Sequence, residues 1–284
     1  MREHCVFRAA WWSTNALLIA AIALLCFASG WEYSVRRYLK GFSDAIVPKV
    51  ASPEERVEAI LEWMRHGPSR DSGRHLGGLA ARDPENTLNY QELLQVCGTA
   101  TNAFLNVGES AGLHVRRLLL LGPDRRAIHV LAEAQIDNRW VVVDPAYRVM
   151  LRDAQGRLLT REQLRSPELL EQARSNIRGY PSAYDFRSVV HVRLARIPLI
   201  GGLRLRHVFD RVYPGWEERF DWSLIVERES FALVVVACLA TIFLLLTRGT
   251  LAWYADRRLH VARVHLRWQL RRAGMALVSS PGLK

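Results

Sequence analysis

Cysteine is scarce in this chain. Of its four cysteines, Cys26 and Cys238 sit inside long apolar runs and Cys5 precedes the first run, which leaves Cys97 alone in the segment between them. A disulfide-stapled domain is therefore excluded, because Cys97 has no partner there. Ligand spacing is missing as well. His66, His75, His191 and His207 stand apart from one another, so no metal is expected, and no cofactor motif occurs. Nothing resembles a nucleic-acid-binding motif despite the basic composition, so nucleic acid is not an expected partner. Internal repeats and low-complexity segments are absent. Lysine is nearly so, with three against 36 arginines among 284 residues, a usage that points to a GC-rich bacterial genome.

Half of the residues are hydrophobic, and two uncharged runs hold much of that excess. Ala9–Trp31 spans 23 residues and Ser230–Thr247 spans 18. About 20 apolar residues cross the hydrocarbon layer as a helix. The second run sits at the lower limit, but only Arg248 interrupts the uncharged sequence on to Ala255, and an arginine at that depth can snorkel. Phe231–Leu246 carries no polar stripe of the kind a soluble core helix shows. In the first run, Cys26-Phe27-Ala28 is a poor cleavage site and Leu25 is a poor neighbour for a lipid-modified cysteine, so an uncleaved anchor is expected.

Charge sets the orientation. The tail from Arg248 to Lys284 has eight basic residues and one acid, Asp256, which is +7 of the net +11. Basic flanks stay in the cytoplasm. Both termini are then cytoplasmic, and the chain divides into a cytoplasmic stub (1–8), a first span (9–31), an extracytoplasmic domain (32–229, with its core at about 51–150), a second span (230–247) and a basic tail (248–284). The expected location is the inner (plasma) membrane, crossed twice. The expected partners are membrane lipids, whose anionic headgroups the tail suits, and an envelope substrate; the oligomeric state is left open.

Within the outer domain, Ser52-Pro53-Glu54-Glu55 opens a helix with a capping serine, proline at the first position and acids in the first turn. Val57, Ile60, Leu61 and Met64 give it one apolar face. Residues 69–88 read as a loop. A second helix begins near Cys97 and buries Ala100, Ala103, Phe104 and Val107, ending near Gly108–Gly112. Strands are expected at Arg117–Leu121, His129–Ile136 and Arg139–Ala146, the last two joined at Asp137-Asn138, a pair suited to a two-residue hairpin turn. A short helix is expected at Pro167–Ser175 and further strand within Val189–Leu205. Trp216 and Trp222 precede the second span, where aromatic side chains often meet the membrane surface.

The hairpin predicts a geometry. If Ile136 faces Arg139, then Asp144 faces Leu131 and His129 faces Ala146. Side chains alternate, so His129 and Asp144 become diagonal neighbours on one face, within reach of a hydrogen bond. The other face, with Val130, Ala132, Ala134, Val141 and Val143, is wholly apolar. Cys97 sits where a helix begins, and a helix N-terminus and a nearby imidazolium both stabilise a thiolate nucleophile. A carboxylate holds the imidazole in its working orientation. His114 competes with His129 but lacks an acidic partner. Glu133 and Trp140 share the His129 face as architectural residues, and Arg116 is expected in a buried or half-buried ion pair.

At these residues the chain resembles a family. Cys97-Gly-Thr-Ala-Thr-Asn-Ala-Phe-Leu followed by Ala111-Gly-Leu-His-Val-Arg116, then His129-Val-Leu-Ala-Glu133, then Asp137-Asn-Arg-Trp140-Val-Val-Val-Asp144-Pro145 are similar, in order, to the signature of the transglutaminase-like superfamily. The resemblance covers about residues 51–150. Leu131 stands where the family often has an aromatic residue, and Val115 where a small residue is usual. The resemblance implies an α+β, papain-like core in which a Cys helix packs on an antiparallel sheet, here flanked by two transmembrane helices. It implies a Cys97–His129–Asp144 triad that cleaves or transfers an amide or acyl group through a thioester. Hydrolysis of envelope proteins, cell-wall peptides or amide-bearing polysaccharide is the favoured form, and transfer to an amine or from a carrier thioester uses the same triad. Gln91, six residues before Cys97, has the spacing of the oxyanion-binding glutamine of papain-like enzymes. Gln95 competes with it, and Trp140 follows. The competing reading from another class is a catalytically silent, membrane-tethered binding or assembly module of the envelope.

Overall fold

The computed structural model describes residues 2–67, 83–192, 211–216 and 223–259. In chain order the helices and strands are α1 (Arg2–Ile46), α2 (Pro53–His66), α3 (Pro84–Asn89), α4 (Cys97–Ser110), β1 (Val115–Leu121), β2 (Ala127–Ile136), β3 (Arg139–Asp144), β4 (Val149–Met150), α5 (Pro167–Ser175), β5 (Val189–Val190), α6 (Ser223–Glu227) and α7 (Glu229–Tyr254). The fold is α+β. Contacts divide the chain into two units, one of Met1–Cys26 with Val236–Lys284 and one of Phe27–Val235.

Helices α1 and α7, each of which belongs in part to both units, are long and apolar enough to cross a membrane. Only 17% and 11% of their most apolar windows are buried, unlike the core helix of a soluble protein. Ile19, Leu239, Phe243 and Leu246 stand exposed, as lipid-facing side chains would. Arg248 reaches across from α7 to α1: its Nε donates to Asn15 Oδ1 at 2.9 Å and its guanidinium lies 5.2 Å from the Trp11 ring centre.

In the second unit a five-stranded antiparallel sheet has the order β4-β3-β2-β1-β5. The β2–β3 register is the one expected, with Ile136 opposite Arg139 and Ala132 opposite Val143. Asp137 and Asn138 both take positive φ, 48° and 61°, the backbone of a type I′ turn that matches the twist of the strands. One sheet face packs Ala132, Ala134, Val141 and Val143 against Val57, Ile60, Leu61 and Met64 of α2 and Ala100, Ala103, Phe104 and Val107 of α4. The other packs Leu118, Leu120, Leu131 and Val142 under Leu151, Leu159, Leu164, Ala173, Tyr180 and Phe186. Alternation along the strands thus fills two cores at once.

Helix α2 starts as its sequence dictates, with a full capping box between Ser52 and Glu55. Gly112, with φ of 79°, turns the chain out of α4. Three expectations need correction. The stretch 69–88 is not all loop: Asp83 caps helix α3 by accepting from Glu85 N, and residues 68–82 lie outside the described part. Helix α1 does not stop near Trp31 but continues to Ile46. Its prolongation carries Glu32–Arg36 and Lys40–Asp44 pairs four residues apart, a spacing that supports a helix rather than ending one. Leu39 and Val47, with Phe42 and Ile46 beside them, join the core under the sheet. Trp216 is buried rather than presented at a surface; Trp222 and the segment 193–205 lie outside the described residues.

A buried polar cluster ties three helices of this unit together. Arg228, 0% exposed, sits between α6 and α7. It donates to Asn106 Oδ1 (2.9 Å) and Glu109 Oε2 (2.5 Å) on α4 and to Glu32 Oε1 (3.0 Å) on α1. Ser230 of α7 donates to Glu32 Oε2 at 2.7 Å. Beside it, Asn102 of α4 donates to Glu227 Oε2 at 3.1 Å, and Arg117 of β1 pairs with Glu227 at 2.6 Å. A buried charge is tolerated only when paired and hydrogen-bonded in this way.

Candidate functional site

The site forms where the start of α4 meets the start of β2. Cys97 is the first residue of α4, and among the described residues no side chain caps that helix. Its leading N–H groups are therefore free for the sulfur, and those of Gly98 and of Val130 on β2 both donate to it. Two threonines lock the helix in place. Thr99 Oγ1 donates back to the carbonyls of Leu93 and Val96, and Thr101 Oγ1 donates to Val130 O at 3.1 Å. The second bond joins α4, one turn beyond Cys97, to the residue after His129.

His129 lies just past an irregularity. The β1–β2 register shifts there, with Leu120 opposite His129 and Leu121 opposite Ala127, so Ile128 is an extra residue. Bulges of this kind aim a neighbouring side chain. The imidazole is 2% exposed, and its Nε2–H donates to Asp144 Oδ2 at 2.8 Å. The other oxygen of Asp144 accepts from the N–H groups of Ala146 (3.1 Å) and Tyr147 (3.3 Å). The carboxylate is thereby fixed from both ends. Nδ1 of His129 remains for Cys97, with which the ring also hydrogen-bonds.

The electrostatics follow from this succession. Burial acts to lower His129, but the hydrogen bonds to Asp144 and Cys97 and their charges outweigh it, and the imidazole is raised to about 9. The Cys97 thiol is lowered, chiefly by the His129 hydrogen bond, against the opposing effect of burial. Each shift favours a thiolate beside an imidazolium, the form a cysteine nucleophile needs.

Three tyrosines surround the pair. The Tyr184 ring stacks on the imidazole at 4.3 Å and 14°, and the Tyr147 ring meets it edge-on at 6.1 Å and 69°. Tyr180 packs against both, at 5.3 Å from Tyr184 and 4.8 Å from Tyr147. It is buried, and burial and the nearby Asp144 charge hold its hydroxyl protonated. Sequence reasoning missed all three. Their one signal was the presence of three tyrosines, 147, 180 and 184, in a stretch without periodicity.

Of the residues singled out in the sequence, Cys97, His129 and Asp144 come together. Gln91 opens a 3₁₀ turn over Gln91–Gln95, and both glutamines are exposed on the approach to Cys97. His114 and Trp140 are elsewhere. The His114 carbonyl accepts from Gln135 N, and Trp140 pairs with Gln135 across the strands. Gln135 is six residues from His129, roughly 20 Å along an extended strand. Neither residue can reach the sulfur, which removes His114 as a rival base and Trp140 as a reserve oxyanion donor. Trp140 instead lies under the Arg116 guanidinium, 4.0 Å from its ring centre, while Arg116 Nε pairs with buried Glu133 at 2.7 Å. His191 Nε2 completes that pair's surroundings at 3.0 Å from Glu133. Arg116 thus makes the buried or half-buried ion pair expected of it.

No protein-family model matches the chain, and no curated protein or solved structure does either.

Proposed function

We propose that this chain is a membrane-anchored, transglutaminase-like cysteine enzyme that cleaves or transfers an amide or acyl group through a thioester on Cys97. One observation carries the reading: a buried imidazole hydrogen-bonds the Cys97 thiol on one side and the Asp144 carboxylate on the other. The Cys97 thiolate attacks the carbonyl carbon, and the carbonyl oxygen becomes an oxyanion. The N–H groups at the uncapped start of α4 supply one donor to it, and Gln91, by its spacing six residues before Cys97, is the side-chain candidate for a second. His129 then gives its Nδ1 proton to the departing amine as the C–N bond breaks, leaving an acyl-thioester. Water or an acceptor amine attacks the thioester, His129 takes its proton, and Cys97 leaves as thiolate. Asp144 keeps the ring oriented throughout.

The two apolar helices support a membrane location for this chemistry, and the +7 tail supports cytoplasmic termini. The unit that holds Cys97 then faces the outside of the inner (plasma) membrane, where envelope proteins, cell-wall peptides and amide-bearing polysaccharide are the substrates in reach. Residues 51–150 carry the resemblance, and the α+β arrangement of a Cys helix on an antiparallel sheet supports it.

The test is to trap the intermediate. The detergent-solubilised full chain is incubated with glutamine-containing and cell-wall peptides, quenched in acid and digested. The Cys97 peptide should then gain an acyl mass that hydroxylamine removes, and Cys97→Ala should show none. No adduct with any amide, together with alkylation of Cys97 at the rate of an ordinary thiol, would return the chain to the class of silent envelope modules.

A further inference from the structure

An imidazole has two edges and two faces. In His129 the edges are committed to Asp144 and Cys97, and one face is covered by the Tyr184 ring at 4.3 Å and nearly parallel. The Tyr184 ring is itself braced, because Tyr180 stands against it at 89° and Tyr147 closes the group from the other side. Tyr180 is anchored in the second core with Leu131, Leu164 and Phe186. Its hydroxyl is buried without a well-formed hydrogen bond, although it lies beside Asp144. This bracing holds the Tyr184 ring face against His129. An aromatic face carries negative potential and attracts a cation, the more so where water is excluded. A stacked ring also blocks the rotation that would swing Nδ1 away from the sulfur.

We propose that Tyr184 is a positioning residue for His129: its ring face stabilises the imidazolium and so holds Cys97 as a thiolate. The proposal rests on the catalytic reading above and names a residue outside the stretch that carries the family resemblance. It makes the segment around 180–184, which contributes no group to the chemistry, decisive for the charge state of the nucleophile. A merely structural Tyr184 would affect stability alone.

The experiment follows alkylation of Cys97 by iodoacetamide between pH 5 and 10 in the full-length chain, read on the Cys97 peptide by mass spectrometry. Three variants are compared: Tyr184→Phe, Tyr184→Leu, and pentafluorophenylalanine placed at position 184, which keeps the ring shape but reverses the sign of its face. Tyr184→Phe should keep the wild-type profile. The other two should label more slowly at pH 6, by roughly five- to thirty-fold for a desolvated cation–π contact, and match wild type at pH 10, where any thiol is ionised. If Tyr184→Leu does not fold, the comparison of the two ring variants decides. Equal profiles for both ring variants would overturn the proposal and make Tyr184 a packing residue, whatever Tyr184→Leu does. Wild-type Cys97 titrating like an ordinary thiol would overturn the catalytic reading along with it.

Discussion

Replacing Arg228 by methionine tests the buried cluster most directly, because methionine keeps an unbranched apolar stem and removes the guanidinium with its charge and donors. Arg228 is fully buried and satisfies Asn106, Glu32 and Glu109 at once. The loss is not the sum of three bonds. Glu109 is 33% exposed and can hydrate in place. Glu32 is only 8% exposed, but it keeps Ser230 and the half-exposed Arg36. Breaking a buried pair costs about 3–5 kcal/mol when the remaining charge is wholly stranded. With these residual partners, and with Asn106 losing its donor, about 3 kcal/mol is expected. For a unit of this size that lowers Tm by roughly 6–12 °C. The assay is thermal unfolding of the full chain in one detergent, with Glu32→Gln and the double variant alongside. Arg228→Met with Glu32→Gln should be less destabilised than the two singles added, by about 1 kcal/mol or more, since the stranded carboxylate is gone. A Tm shift under about 2 °C for Arg228→Met, or strict additivity, would refute the view that these charges depend on one another.

Asp144→Asn should lose most activity yet stay above Cys97→Ala, whereas His129→Ala should fall nearly as far as Cys97→Ala, because only His129 moves a proton; equal losses in steady-state turnover would contradict this. The pH profile of kcat/KM should have an alkaline limb near 9, where raised His129 loses its proton, and an acid limb below the ordinary thiol range, where lowered Cys97 gains one. The same shift gives His129 a contribution to stability that is complete below about 6.5 and is lost as pH rises through about 9, visible in denaturant titrations at those pH values. Gln91→Ala should reduce kcat by roughly 10²-fold with little change in Tm, and a full kcat there with a loss in Gln95→Ala would move the role to Gln95. A cytoplasm-active reporter fused after Lys284 and a periplasm-active one after residue 150 should both signal, and silence from both would remove the two-span arrangement.

Local chemistry made much of this legible. Ser52, Pro53 and Glu55 announce α2 because a helix start is a matter of neighbouring residues. Asp137-Asn138 announces a hairpin, and once the turn is known, alternation alone brings His129 and Asp144 to one face. Features that depend on distant parts of the chain were not readable. Glu32, Arg36 and Lys40 look like the polar end of a span, and only their four-residue pairing shows the helix continuing. Arg228 reads as one charge in a membrane flank, since its partners lie 119 to 196 residues away. Helix α3 is hidden in a polar, glycine-rich stretch. The three tyrosines reach His129 from a segment whose own pattern is irregular, and nothing in their spacing points to an imidazole. Irregular backbone is held by tertiary contacts, and those leave no period in the sequence.

Helix α1 bears on whether its apolar end can be cut away from the folded part of the chain. Many anchored enzymes hang from a pliant tether that a protease can trim, setting a working soluble domain free. Here the helix that begins long and apolar enough to cross a membrane ends as a core element, with Leu39 fully buried and Phe42 edge-on to Trp63 at 4.9 Å. From Trp31 to Ile46 it runs on for roughly 22 Å without a break. A cut beyond Glu32 would take Glu32 from Arg228 and Ser230, and one nearer Ile46 would strip Leu39 from the core. Proteolytic release and an intact core are thereby made mutually exclusive.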